Sequence, residues 1–379
     1  MRESARRPAF RACALGSLAI LLVLAFAAPA VALPARFWGV VPQSVLGAEQ
    51  LDRLHRGGAR AIRIPFFWGA VRPNRNAPSN WSGPDAMVAE ASKAGLEVLP
   101  FLYGAPRWVL REAPVPGTGG TAMAPARLPV RGVAGAGWRR FVHEAVERYG
   151  FGGSFWSENP ELPRRPIRYW QIWNEPNFKY FVARPSPAEY GRLVELSFAG
   201  MRSADRRGRI VLAGLFARPA EAARRYRPPR AYFATDFLER MYRSTPGIRH
   251  LFSAVALHPY GERFQYLAPQ IEEVRDVLAR NRDAGKQLWI TELGWSSQPP
   301  TPGNSFAKGR RGQARQLSGA FSVLRRNQQR WKLRRVYWFS VDDLAGSCNF
   351  CDGSGLFGDG FRPKPAWHAF VRFAGGSVR

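Results

Sequence analysis

The chain has 379 residues, 46% hydrophobic, 13% aromatic and 22% charged, with 37 Gly and 31 Pro. That composition excludes a disordered chain, a collagen and a coiled coil, and three cysteines are too few for a disulfide scaffold. Lys and Arg total 56 against 28 acids, a net charge of +28 that attracts polyanions in general. Only six of those 56 are Lys, and the arginines are spread along the whole sequence. The densest runs are as short as Arg206-Arg207-Gly208-Arg209 and Arg224-Arg225-Tyr226-Arg227, with no zinc-finger spacing and no RNA-recognition motif. The charge therefore reads as a basic solvated surface with no specific nucleic-acid partner.

Residues 1–32 have the pattern of a secretory signal. Arg2, Arg6, Arg7 and Arg11 precede an apolar run from Ala14 to Ala28, and small residues up to Ala32 offer cleavage sites. The run is about 15 residues, short of the ~20 that a membrane span needs. A cleaved signal is expected rather than a retained anchor, which leaves a secreted or extracytoplasmic chain 33–379 with no stable membrane span. The segment carries four of the arginines and one glutamate, so the remainder keeps a net charge of +25. Cys13 falls inside it. In an oxidising compartment Cys348 and Cys351 are expected to staple a small loop, since no second cysteine pair exists to complete a zinc site.

Short apolar segments then recur in chain order: Phe37–Val41, Ala61–Pro65, Leu96–Leu102, Ile167–Trp173, Ile210–Leu215, Phe252–Leu257, Gln287–Thr291 and Val336–Val341. Most lack clean alternation, as strands buried on both faces do. Helical stretches lie between them. Ser186-Pro187-Ala188-Glu189 is a capping-box sequence ahead of an amphipathic run to about Arg206. Helices near Asp85–Ala94 and Trp138–Tyr149 are expected to stop at Gly95 and Gly150. Eight strand–helix units predict one (β/α)8 TIM barrel over 33–379. An open doubly wound sheet is the alternative, but no G-x-G-x-x-G follows the first strand.

Tyr103–Gly137, Leu215–Ala231 and Trp295–Gly312 read as loops that follow strands, and so belong to the C-terminal face, where barrel active sites lie. Phe151–Pro166 precedes a strand and belongs to the other end, which makes Glu158 and Glu161 poor catalytic candidates. The polar residues at the C-terminal strand ends carry the chemistry. Strand 2 holds Arg63, and strand 4 ends Trp173-Asn174-Glu175-Pro176-Asn177. Strand 6 ends His258-Pro259-Tyr260, strand 7 ends Thr291-Glu292-Leu293-Gly294-Trp295, and strand 8 holds Tyr337-Trp338-Phe339. Glu175 and Glu292 would face each other across the barrel mouth. Two facing carboxyls, one protonating the leaving oxygen and one attacking the anomeric carbon, are what glycoside hydrolysis needs. Retention predicts carboxyls ~5 Å apart, inversion roughly 9 Å. Arg63 and Tyr260 would hold Glu292 ionised. Trp68, Trp108 and Trp295 are either sugar-stacking rings or packing, and Asp342 and Asp343 read as loop polar residues.

This constellation resembles the clan A glycoside hydrolases, notably families 5 and 39, from Phe37 to about Phe373. The resemblance implies that Asn174 binds a sugar hydroxyl, that Glu175 is the acid/base and that Glu292 is the nucleophile. It further implies that Arg63, His258, Tyr260 and Trp338 support them, with no metal and no cofactor. Family 5 enzymes usually carry a His at the end of strand 3, and Pro100-Phe101-Leu102-Tyr103 has none. The expected function is a secreted, retaining glycosidase acting on an oligo- or polysaccharide. A non-catalytic carbohydrate-binding barrel and a polyanion-binding surface protein are the alternatives. Arg107, Arg111, Arg127, Arg131, Arg310 and Arg311 would bias the catalytic face toward anionic glycans.

Overall fold

Each of the eight apolar segments forms a parallel strand that pairs with the next, and the eighth returns to the first. The strands are β1 (Trp38–Val41), β2 (Ala61–Phe67), β3 (Glu97–Tyr103), β4 (Tyr169–Ile172), β5 (Arg209–Phe216), β6 (Ala254–His258), β7 (Gln287–Ile290) and β8 (Leu333–Phe339). Closure sets Trp38 opposite Val336 and Val41 opposite Phe339. The computed structural model describes residues 33–109, 125–217, 228, 231–345 and 351–378. The architecture is a (β/α)8 barrel. Its helices are α1 (Ala48–Arg56), α2 (Trp68–Val71), α3 (Ser82–Lys93), α4 (Gly132–Tyr149), α5 (Ser154–Glu158), α6 (Pro187–Ala204), α7 (Ala234–Ser244), α8 (Leu267–Arg280), α9 (Gly309–Arg326) and α10 (Pro365–Ala374).

Strand side chains alternate between two environments, because successive residues point to opposite faces. Ile62, Ile64, Val98, Leu102, Val255, Leu257, Leu288 and Val336 join the large core between sheet and helices. Val41, Ala61, Leu99, Val211, Ala254, Ala256, Trp289 and Tyr337 form a second, smaller core inside the barrel. Small residues on β2 and β6 leave room for the rings of Trp289, Tyr169 and Tyr337, so the lumen is filled rather than open. Glu97, which opens β3, accepts from Arg36 and from the buried Arg335 of β8. The Arg335 guanidinium also lies 5.1 Å from the Trp289 ring centroid. A charge there is tolerated because it is paired.

The helix boundaries depart from expectation where packing overrides propensity. Helix α4 starts at Gly132, six residues earlier than the sequence suggests. Gly132-Val133-Ala134-Gly135-Ala136-Gly137 reads as loop, yet a Cβ on Gly137 would sit 2.9 Å from both Trp68 and Trp108. Two tryptophans press on that glycine, and their burial outweighs the ~1 kcal/mol that Gly costs a helix. At α6, half of the capping box forms. Ser186 Oγ accepts from the Glu189 backbone N–H at 3.3 Å, while the Glu189 carboxylate turns away to Arg127 at 2.7 Å. The loop after β7 ends at Lys308, since α9 begins at Gly309, and Phe151–Pro166 contains the short α5. The parts of the two other loops at 110–124, 218–227 and 229–230, with Arg111, lie outside the described residues, as do residues 1–32 and Cys348. Cys351 is disulfide-bonded. Among the described residues no helix is long and apolar enough to cross a membrane.

Candidate active site

The mouth of the barrel is organised by one arginine. Arg63 follows Ala61 on the lumen-facing side of β2 and is fully buried. Its guanidinium uses three nitrogens on three partners: Nε donates to Gln171 Oε1 at 2.6 Å, Nη1 to Glu292 Oε1 at 2.7 Å and Nη2 to Asn174 Oδ1 at 2.7 Å. The same group lies 4.0 Å from the Phe101 ring centroid of β3. Planar, five-donor geometry is what lets one side chain tie β2 to the ends of β4 and β7.

Glu175 reaches the mouth through an unusual backbone. Along β4 the side chains of Tyr169 and Gln171 point inward, and parity would send Trp173 in as well. Instead Trp173 has φ 71 and Glu175 φ 40. Left-handed conformations in non-glycine residues cost about 1–3 kcal/mol and concentrate at functional sites. Here they turn the Trp173 ring outward against Trp138 and Tyr103 and deliver Asn174 and Glu175 to the mouth. Asn177 locks the turn from outside, donating to Phe216 O at 2.8 Å and Tyr232 O at 2.9 Å.

His258, at the end of β6, stands between the two carboxyls. Its Nδ1 is 2.6 Å from Glu175 Oε1 and 3.6 Å from Glu292 Oε2, and its Nε2 is 2.9 Å from Thr291 Oγ1. The ring fits because residue 214 of β5 is glycine: a Cβ there would lie 1.9 Å from Nε2. Tyr260 O–H donates to Glu292 Oε2 at 3.0 Å. Ligand atoms of Glu175, His258 and Glu292 all fall within 4.8 Å of one another. A divalent cation would find three donors there, but it would have to displace the Arg63 guanidinium and the 2.6 Å hydrogen bond that already use them.

The electrostatics separate the two acids. Burial, and next the charge of Glu292, push the Glu175 carboxyl well above the ordinary range. Burial also raises Glu292, but the Arg63 charge and hydrogen bonds from Tyr260 and Arg63 pull it back. Burial and then Arg63 drive His258 well below its usual value, so the imidazole is neutral. Burial raises the Tyr260 phenol, reinforced by Glu292 and Glu175, so it remains a donor.

Six of the seven residues expected to support catalysis thus meet in one cluster: Arg63, Asn174, Glu175, His258, Tyr260 and Glu292. Trp338 does not. Strand parity points Tyr337 and Phe339 inward and Trp338 outward, where it is fully buried, packs 6.2 Å from Phe321 and donates Nε1 to Ser354 O at 3.2 Å. The strand 8 residue at the mouth is Phe339, packed against the inner core. Trp68 and Trp295 are likewise buried packing, and Trp108 donates to Arg72 O at 3.1 Å. Among the described residues, rings open to solvent at the end of a strand or in segments that follow strands are Phe67, 45% exposed, and Tyr180 and Tyr266, each 40% exposed. Asp343 is tied up by the buried Lys364 at 2.8 Å, and Asp342 accepts from Ser44. Glu158 accepts from Arg148 at 2.9 Å, while Glu161 lies in the same loop ahead of β4. Gln171 and Thr291 were not among the expected residues, although both are polar groups inside doubly buried strands.

The chain is similar in fold to glycoside hydrolases of families 39 and 5. A family 39 β-xylosidase from Caulobacter crescentus superimposes with a TM-score of 0.63 and 20% identity, covering 90% of this chain and 72% of that one. A family 39 glycoside hydrolase from Bacteroides cellulosilyticus gives 0.62 and 17%, covering 90% of this chain. This chain spans 64% of the length of that protein. A GH5_18 protein from Bifidobacterium longum, in complex with Manβ1-4GlcNAc, gives 0.60 and 14%, covering 89% and 78%. No protein-family model matches the sequence, and no curated protein matches it.

Proposed function

We propose that the protein is a retaining glycoside hydrolase that works without a metal. The observation that carries this reading is the carboxyl pair: oxygens of Glu175 and Glu292 within 4.8 Å, one acid pushed up by burial, the other bonded to a buried arginine. Retaining enzymes hold their two carboxyls about 5 Å apart, whereas inverting enzymes need room for a water. Glu175, protonated, gives its proton to the glycosidic oxygen as the bond to the anomeric carbon breaks. Glu292, ionised, forms the new bond to that carbon. Glu175 then takes a proton from water as the water displaces Glu292, which restores both groups. Arg63 and Tyr260 keep the Glu292 carboxylate aimed and charged, and Asn174 is placed to meet a hydroxyl of the same sugar. Phe67 and Tyr180 offer exposed faces for further rings.

We further propose that residues 1–32 direct the chain out of the cytoplasm, on the arginines that precede the apolar run Ala14–Ala28 and the small residues that follow it. A panel of aryl glycosides led by β-xylosides tests the activity, since one similar structure carries that name. Glu292→Ala should abolish turnover, and azide should restore it with inverted product stereochemistry, because the small anion fills the nucleophile's place. No hydrolysis of any glycoside by the wild-type protein would overturn the reading.

A further inference from the structure

Resting on the acid/base reading of Glu175, a chain of hydrogen bonds can be followed from the barrel wall to that carboxyl, with the direction of each fixed by chemistry. Arg63 Nε can only donate, so the Gln171 atom 2.6 Å away is the amide oxygen. The other end of that amide is then NH2, and its two hydrogens go to Leu212 O and to Thr291 Oγ1, each at 3.2 Å. Thr291 is fully buried. Its hydroxyl has one proton to give, and His258 Nε2 at 2.9 Å is the acceptor in reach among the described residues. A ring nitrogen that accepts carries no proton. The neutral imidazole therefore has its hydrogen on Nδ1, aimed at Glu175 Oε1, 2.6 Å away.

The opposite tautomer would bury the Thr291 proton without an acceptor. It would also let the protonated Glu175 turn its Oε1–H toward the bare Nδ1, 2.6 Å away, which draws the proton away from the leaving group. We infer that Gln171 and Thr291 are positioning residues which fix the tautomer of His258 and so confine the acid's proton to Glu175 Oε2. With Oε1 occupied by Nδ1–H, the proton has one oxygen left, and no hydrogen bond from the described residues reaches Oε2. That oxygen is free to meet the leaving group. The other charged or titratable groups facing Glu175 are Arg63 from β2, Tyr103 from β3, Tyr260 beyond β6 and Glu292 beyond β7. Of these only Arg63 also belongs to the chain of bonds.

The test has two arms. In the intact protein labelled with 15N-histidine, two-bond proton–nitrogen correlations should show His258 neutral with its proton on Nδ1, the resonance being assigned by its loss in His258→Gln. A proton on Nε2 would overturn the inference, and since no substrate is involved, it would leave the glycosidase reading standing. The second arm compares Thr291→Val with Thr291→Ser. The Val variant removes the tautomer bias, so that the acid's proton can lodge between Oε1 and Nδ1. Turnover of glycosides with poor leaving groups should fall ~10-fold, part of the ~10²–10⁴ that general acid catalysis supplies in all, while nitrophenyl glycosides lose far less. The basic limb of kcat/KM should move to higher pH, because the protonated carboxyl gains a partner. Ser should restore both. Equal loss on both substrates with an unmoved limb would show that Thr291 merely packs.

Discussion

The Arg63 guanidinium donates to Glu292 at 2.7 Å, and together with the Tyr260 hydroxyl it sets this buried carboxyl apart from Glu175. Removing the charge should move the acid limb of activity. A nucleophilic Glu292 would work only when ionised, so kcat/KM should fall as pH drops through the Glu292 value. Burial already raises that value and Arg63 holds it down. In Arg63→Met the restraint is gone, and the acid limb of the kcat/KM profile should shift to higher pH by about one to three units, the usual effect of a close opposite charge. Arg63→Lys keeps the charge but cannot reach Gln171, Asn174 and Glu292 together. It should show a smaller limb shift with a large drop in the plateau. A limb unmoved in Arg63→Met would mean that Glu292 is not the ionised partner.

Gly214 is the second sensitive point, and it touches no substrate. A methyl there would overlap His258 Nε2 at 1.9 Å, and the imidazole would have to leave its position between Thr291 and Glu175. Displacements of ~1 Å in catalytic geometry cost ~100-fold. Gly214→Ala should therefore lose about two orders of magnitude in kcat/KM. Gly285→Ala, at a position with nothing within 4 Å of the added carbon, should leave activity unchanged.

Trp338 and Phe339 are adjacent but face opposite ways, and their variants should separate accordingly. Trp338→Ala opens a cavity in the core beside Phe321 and Trp295 and should cost about 3–5 kcal/mol of stability, seen as a lower Tm. KM of the folded fraction should hardly change. Phe339→Ala, at the mouth, should raise KM with a smaller fall in Tm. The reverse pattern would restore Trp338 to the substrate side.

That pair also shows how far the sequence could be read. All eight strands were visible as apolar runs, because a barrel strand is buried on both faces and needs no alternation. Glu175 and Glu292 followed, since strands 4 and 7 of a closed parallel barrel open at the same end. What could not be read was parity within β8, where Tyr337, Trp338 and Phe339 are all aromatic and nothing marks the inward residue. Gln171 and Thr291 did carry a signal. A polar side chain in a doubly buried strand needs a partner, and the reasoning that picked out Arg63 applies to them equally. The positive φ values at Trp173 and Glu175 are set by tertiary packing around Trp138 and Asn177, and no local rule announces them. The start of α4 was hidden because three glycines in six residues look like loop until the two tryptophans above them are known.

The choice of sugar turns on which cations the site has to spare. A strongly basic chain suggests a preference for uronate-bearing glycans, with arginines of the C-terminal face as the attractor. The structure weakens that case. Arg63, the cation at the cleaved position, is saturated by Gln171, Asn174 and Glu292. On the rim Arg127 is paired with Glu189 at 2.7 Å, while Arg310 and Arg311 are exposed and can act only farther from the carboxyl pair. The sugar bound between Glu175 and Glu292 would also bring its own negative charge beside two buried carboxyls, an arrangement that like charges disfavour. A neutral sugar at the cleaved position is therefore expected. On matched neutral and acidic oligosaccharides, kcat/KM should favour the neutral member at both low and high ionic strength. Long-range steering by the basic surface would act on the acidic one at low salt only, and salt would screen it. A preference for the acidic substrate that shrinks as salt is added would reverse this conclusion and return the arginines of the rim to a role in binding.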